Sequence, residues 1–437
     1  MTPSAVDALA TPAGQRLLAE LPPYDPDLAL TIAKGLRKRG VNPDLIAAAL
    51  TQSRLAPKLA AKFGPFAQGM LATPDGVEQA TRLEVATRHA ARFRDAGLTH
   101  IADLTCGIGG DALAMAALGL RVAAFESDPI TAAVARHNLR AFPEASVATA
   151  DSLSADLDDV DAIWADPGRR RGATADGLTR RRMDPEACSP PLSAVLAAAA
   201  GRPLGVKLAP GIRDASIPAD AEAQWVSHLG DVVEATCWFG PLRTTTHDGG
   251  THSTLPTHDG GTHLARVDAP RAAGPLPVLR SALVLGPGGA ASLTFADPSN
   301  PAPPLTVGDL DDYLLEPDGA LICSGLIAEA ARHLDRPRLL HPRIAYVSSP
   351  SRAPSSCAGN WAAFRVREVH PLNVRKVKAR LRELGVGRLE IKQRGCDVVP
   401  DTLRQQLAPR GEEAATLIAT RIAGRHAAII ADRAVDS

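Results

Sequence analysis

Apolar positions in the first 75 residues return at helical spacing, from Asp27 to Leu36 and again from Pro43 to Leu50, where Asn42-Pro43 forms a helix start. They predict an N-terminal helical region over residues 1–75, and a further helix, Gly76 to Ala96, leads out of it. From His100 the period changes. Short apolar runs alternate with helical stretches, the mark of a parallel sheet covered by helices. Strands are predicted at His100–Leu104, Arg121–Phe125, Ser146–Ala150, Asp161–Ala165, Leu204–Leu208 and Val232–Phe239, with helices at Asp111–Ala117, Pro129–Leu139 and Leu192–Ala199. Together they make a doubly wound α/β domain over residues 76–268.

Beyond residue 270 the strand-like runs SALVLG and ASLTF precede a Pro-rich stretch, a helix from Ile322 to Leu334 and a strand at Ile344–Ser348, predicting an α+β module over 275–350. After Trp361 come a basic helix (Leu372–Leu384), a strand (Arg388–Gln393), a short helix capped by Asp401 and an apolar hairpin from Ala414 to Ala431 turned at Gly424. These predict a second α+β module over 361–437. The heptapeptide THDGGTH occurs at Thr246–His252 and again at Thr257–His263, within an insertion spanning 244–263. Its histidines fit no standard metal-ligand spacing, and a tandem duplication clusters them automatically, so a loop insertion is expected and no obligatory metal.

A length of 437 residues suits two or three domains, and 45% apolar with 22% charged residues is ordinary for a globular protein. The 48 basic and 48 acidic side chains balance. From Trp361 onward, however, fifteen Lys/Arg face nine Asp/Glu, so the C-terminal part is the basic part. A second basic stretch, Lys34, Arg37, Lys38 and Arg39, reads as a solvated helix face rather than an RNA-touching surface. Six scattered cysteines without a C-x-x-C pair, no leader-like N-terminus and no apolar run near the ~20 residues a membrane requires predict a cytoplasmic protein with no membrane association.

The chemistry concentrates in H-I-A-D-L-T-C-G-I-G-G-D, His100 to Asp111. A strand ends at Asp103, the chain turns through Thr105, Gly107 and Gly109, and a helix starts, a geometry that lets backbone N–H groups approach a nucleotide-like ligand. No G-K-S/T follows, which excludes a Walker-type phosphate loop. Gly107 to Ala112 also satisfies the dinucleotide fingerprint, leaving a nicotinamide enzyme open. Asp103 favours S-adenosylmethionine instead, because a carboxylate inside the turn repels a pyrophosphate and attracts an ammonium. Glu126, ending the second strand, suits the ribose hydroxyls; Asp151, after the third, suits the adenine amine. The fourth strand ends in Asp166-Pro167, at the sheet edge where open α/β sheets bind ligands.

With these residues the chain resembles the class I S-adenosylmethionine-dependent methyltransferases, whose fourth strand often ends D/N-P-P-Y/F. That resemblance implies that Asp166 and Pro167 hold the acceptor and that catalysis is chiefly positioning. Here Gly168 and Arg169 replace the second proline and the aromatic, which weakens the expectation of a stacked base and of N-methylation. Arg169, Arg170 and Arg171, with Arg180, Arg181 and Arg182, instead offer guanidinium forks suited to RNA phosphates. Lys207, after the fifth strand, is a further candidate for the acceptor side, and Gln79 and Thr81 for the methionine end of the cofactor.

Taken whole, the chain is similar to bacterial methyltransferases in which a helical region and a Rossmann-like domain precede ferredoxin-like and THUMP-like modules. D-L-T-C-G-I-G-G-D, A-D-P-G-R-R, E-P-D-G-A-L-I (Glu316–Ile322) and R-L-E-I-K-Q-R-G (Arg388–Gly395) carry that likeness. THUMP domains deliver RNA to attached enzymes, so it implies an RNA partner. The competing expectations are a nicotinamide-dependent oxidoreductase and a catalytically inactive RNA-binding protein.

Overall fold

The computed structural model describes residues 1–169, 184–244 and 278–434. Arg170, Arg171, Arg180 to Arg182 and the duplicated His-rich segment from Thr246 lie outside the described residues. Contacts divide the chain into two compact units, one holding Met1–Glu222 with Thr236–Thr244, the other Ala223–Ala235 with residues from Leu279 onward.

The first unit opens with helices α1 (Pro3–Ala10), α2 (Pro12–Glu20), α3 (Pro26–Lys38), α4 (Pro43–Phe63), α5 (Pro74–Gln79) and α6 (Leu83–Asp95). Five of the six start alike. Thr2, Thr11, Asp25, Asn42 and Thr73 each cap the helix through a side-chain oxygen and are followed by proline, which needs no N–H partner in the first turn. The single helix expected over Gly76–Ala96 is two helices, because tertiary bonds capture the chain between them. The Lys62 Nζ donates to the carbonyls of Glu78 (2.7 Å) and Ala80 (2.6 Å), and the Thr81 hydroxyl turns inward.

The sheet that follows contains β1 (His100–Asp103), β2 (Arg121–Glu126), β3 (Ala145–Thr149) and β4 (Ala162–Ala165); helices α7 (Gly110–Ala117) and α8 (Pro129–Asn138) connect the first three. Next come the two-residue strands β5 (Gly168–Arg169) and β6 (Cys188–Ser189), which pair with each other, then α9 (Leu192–Ala199) and β7 (Leu204–Leu208). In this unit the parallel order is β7-β4-β1-β2-β3. Register sets Asp103 beside Ala124 and Trp164, Glu126 beside Thr149, and Ala165 beside Val206, so the carboxyl ends share one edge. One continuous apolar cluster joins the N-terminal helices to the sheet: Phe63, Leu71 and Phe93 are packed with Ile101, Leu113 and Trp164, all nearly inaccessible.

Strand β8 (Glu222–His228), absent from the sequence reading, neighbours β9 (Asp231–Phe239). Glu222, Gln224 and Ser227 are buried in it, and that mixture of polar and apolar residues hides the strand from an apolar-run criterion. In the second unit β10 (Leu279–Leu285) pairs antiparallel with β11 (Ala291–Phe295). Further along come β12 (Tyr313–Pro317), α10 (Gly319–Ser324), α11 (Ile327–Ala330), β13 (Arg338–His341), β14 (Ile344–Ser349), β15 (Trp361–Pro371), α12 (Val374–Glu383), β16 (Val386–Gln393), α13 (Pro400–Leu407), β17 (Glu413–Ile422) and β18 (Arg425–Arg433). Strands from both expected modules lie in one sheet, ordered β13-β14-β12-β15-β18-β17-β16, antiparallel except for the β16–β17 pair.

Two sequence expectations need correction here. The helix expected from Ile322 to Leu334 is broken at Gly325, whose φ of 75° ends α10. Asp401 is not the cap of α13 but sits in its first turn, after Val399. The apolar run of β17 alternates faces as a strand should: Leu417 packs with Val377, Leu381 and Ile430, and Ile418 packs with Tyr346, Phe364 and Ile429. Glu316 of β12 receives both Lys392 (2.6 Å) and Arg394 (3.3 Å), 76 and 78 positions further along the chain, tying together E-P-D-G-A-L-I and R-L-E-I-K-Q-R-G.

Candidate active site

The turn after β1 is held from three sides. Leu104 N–H donates to the Trp164 carbonyl, Cys106 N–H to the Phe125 carbonyl, and the Asn138 side chain of α8 donates to the Ile108 carbonyl at 2.8 Å. Gly107 (φ 54°) and Gly109 (φ 88°) both take left-handed backbone conformations, which glycine adopts without penalty. A methyl group at Gly107 would meet nothing within 4 Å, so open space lies against that backbone. The Thr105 hydroxyl accepts from the Asp166 N–H at 2.7 Å, locking the turn to the end of β4.

Around it acids crowd. Asp103 is 1% exposed, and burial, reinforced by Asp111 and then by Asp166 and Glu126, pushes its carboxyl well above the usual range. Thr105 N–H donates to it at 3.2 Å, too weak a bond to offset that crowding. Burial also raises Glu126, although Asp128 N–H donates to it at 2.8 Å. Such a cluster is electrostatically incomplete. A cation placed among these carboxyls would restore their charged forms, which suits the sulfonium and ammonium of S-adenosylmethionine and not a pyrophosphate.

On the other side of the turn runs a chain of polar contacts. Lys207 Nζ lies 2.6 Å from Asp166 Oδ2 and 3.1 Å from Thr81 Oγ1; the Thr81 hydroxyl donates to Asp111 Oδ2 at 2.8 Å, and His89 Nδ1 lies 2.9 Å from Asp111 Oδ1. Burial acts to raise the Asp111 carboxyl, but His89, Lys207 and Thr81 outweigh it and hold the group below the ordinary carboxylate range. His89 in turn rests on Trp164, ring centroids 4.4 Å apart.

The structure therefore brings Asp103, Thr105, Gly107, Gly109, Glu126, Asp166, Pro167 and Lys207 to one edge of the sheet. Asp151 follows β3 at that edge, exposed, its carboxylate capping a short turn through Leu153 N–H at 3.1 Å. Arg169 is placed by its backbone in β5, opposite Cys188. Thr81 reaches the network and Gln79 is exposed at the end of α5. Sequence reasoning missed Asp111, His89 and Lys62. An acid opening a helix reads as a cap, and nothing local marks Asp111 as buried. Among the described residues no cluster of His, Cys, Asp and Glu is arranged for a metal, and no helix is long and apolar enough to cross a membrane.

Residues 362–433 match the THUMP domain-like family, and residues 2–55 match a family described as a domain of unknown function. The crystal structure of a proposed methyltransferase from Porphyromonas gingivalis W83 superposes with a TM-score of 0.67 at 20% identity, covering 94% of this chain and 100% of that one, and so shares the fold. Two Mycobacterium tuberculosis proteins, from strains CDC 1551 / Oshkosh and H37Rv, are each described as an uncharacterised S-adenosylmethionine-dependent methyltransferase. Both are 30% identical over 357 residues, 80% of this chain and 85% of theirs. With the acid-lined glycine turn already in place, that identity over that length makes the chain a member of the S-adenosylmethionine-dependent methyltransferases.

Proposed function

We propose that this methyltransferase acts on RNA. The observation that carries the reading is the THUMP domain-like match over residues 362–433, in a segment where α12 buries Val377 and Leu381 and exposes Arg375, Lys376 and Arg382. Exposed basic side chains along one helix are the electrostatic footprint of a phosphate backbone. The arginines at Arg169 and Arg170 extend the same chemistry by sequence.

Bound S-adenosylmethionine supplies an electrophilic methyl group. Asp103 would hold the ammonium of its amino-acid end, Glu126 the ribose hydroxyls and Asp151 the adenine amine, while the Gly107 and Gly109 backbone allows close approach. Asp166, fixed by Thr105 and paired with Lys207, would orient the acceptor atom beside Pro167; most of the rate then comes from positioning.

The test incubates the full-length protein and methyl-labelled cofactor with total RNA from cells lacking the protein. Label in a ribonuclease-sensitive fraction is expected. Label confined to protein, or to no macromolecule, would overturn the RNA reading while leaving the family membership intact.

A further inference from the structure

Lys62, in the last turn of α4, takes no part in the function described so far. Its Nζ donates to the carbonyls of Glu78 at 2.7 Å and Ala80 at 2.6 Å, on the two-helix kink. The next residue, Thr81, receives Lys207 at 3.1 Å. Two lysines from distant parts of the chain are thus anchored on adjacent residues, beside the Asp166 carboxylate. Lys207 is committed to that carboxylate and Asp166 to that ammonium, so neither is well suited to take up a proton. Lys62 is differently placed. An ammonium has three N–H donors and a neutral amine has two donors and one lone pair. Two carbonyls satisfy both donors of the neutral form, and what is left over is the lone pair.

We propose that Lys62 is the base that receives the proton of the methyl acceptor, an amine held on the Ala80–Thr81 kink beside the Lys207–Asp166 pair. As the bond from the acceptor nitrogen or oxygen to the methyl forms and the methyl–sulfur bond breaks, its electron pair going to sulfur, the acceptor's proton passes to the Lys62 lone pair. The surroundings keep that lone pair available: burial first, then the charges of Lys207 and Arg82, lower the Lys62 ammonium to about 8, against the opposing pull of Glu78 and Asp166. Near neutral pH an appreciable fraction is therefore already neutral. Only the identity of the acceptor rests on the RNA reading.

Two measurements on the full-length protein test the role. Trace acetylation with acetic anhydride from pH 6 to 11, followed peptide by peptide by mass spectrometry, should give Lys62 half-maximal reactivity near pH 8, against 10.5 for an unperturbed lysine; reactivity in the ordinary lysine range overturns the proposal without any acceptor being present. The second compares wild type with Lys62→Arg, which keeps donors for both carbonyls but has no usable lone pair. Single-turnover methyl transfer into macromolecules of an extract lacking the protein should fall on the order of 100-fold and lose its rise through pH 8, with cofactor affinity and melting temperature unchanged. A variant that keeps the wild-type rate and pH profile overturns the proposal. Ribonuclease treatment of the wild-type product separately reports on RNA as acceptor.

Discussion

At the scale of single residues the site is built on charge that the protein alone leaves uncompensated. Asp103 is the extreme case, buried and crowded by Asp111, Asp166 and Glu126, so its carboxyl holds a proton to well above the usual pH. A cationic ligand binds the ionised form, so binding expels that proton. Affinity must then rise with pH, by up to about tenfold per unit for one proton, until the raised value is passed, and level off above it. Titration calorimetry with S-adenosylmethionine in buffers of different ionisation enthalpy should register the released proton. Asp103→Asn should lower affinity about 10- to 100-fold, the cost of about 1.5–3 kcal/mol for a lost charged hydrogen bond, and flatten most of the pH slope. A slope of the opposite sign would remove Asp103 from the ligand. Asp103, Glu126 and Asp166 were legible in sequence because strand ends are marked by a change of period. Asp111 and its partner His89 were not: both lie on helices whose facing depends on packing that no local pattern records.

At the scale of elements, the two glycines of the turn do different work. Gly109 caps α7 with φ 88°, and a methyl there would find Leu139 at 3.6 Å, an ordinary contact; only the backbone conformation penalises a side chain. Gly109→Ala should therefore cost about 1–2 kcal/mol in urea unfolding. At Gly107 the space beside the backbone is open, so an added methyl would stand where a ligand approaches. Gly107→Ala should lose cofactor affinity by a larger factor than its stability loss accounts for. Equal losses of affinity in the two variants would show that the turn responds as one unit. The same distinction explains which elements the sequence revealed. Strands β1, β4 and β7 are short, largely buried and mostly apolar runs, and the predicted ends of β1 to β4 and β7 fall within a residue or two of those observed. β8, with Glu222, Gln224 and Ser227 buried, and the split of the Gly76–Ala96 helix both arise from tertiary hydrogen bonds that override local pattern. The glycine turn itself satisfied two fingerprints at once, and the acids beside it, with the family membership, decide for S-adenosylmethionine.

At the scale of the whole molecule, a near-zero net charge conceals a division between an acidic ligand site and a basic C-terminal segment. The first suits a small cation, and the second suits a polyanion. In α12, Arg380 is already paired with Glu368 and Glu383, whereas Arg375, Lys376 and Arg382 are exposed and join no ion pair among the described residues. Reversing the charge of Arg375 and Lys376 to glutamate should therefore weaken RNA binding and lower the slope of log affinity against log salt by about 1–2, since each lost phosphate contact removes roughly 0.7 for a single strand. Both side chains point away from the buried Val377–Leu381 face, so stability should change by less than about 0.5 kcal/mol. Because the reversal touches none of the residues at the sheet edge, cofactor affinity should be unaltered and the loss should fall on KM for RNA rather than on kcat. An unchanged salt slope would separate the THUMP-like segment from RNA capture. A fall in kcat at saturating RNA would mean instead that α12 contributes to orienting the acceptor as well as to holding it.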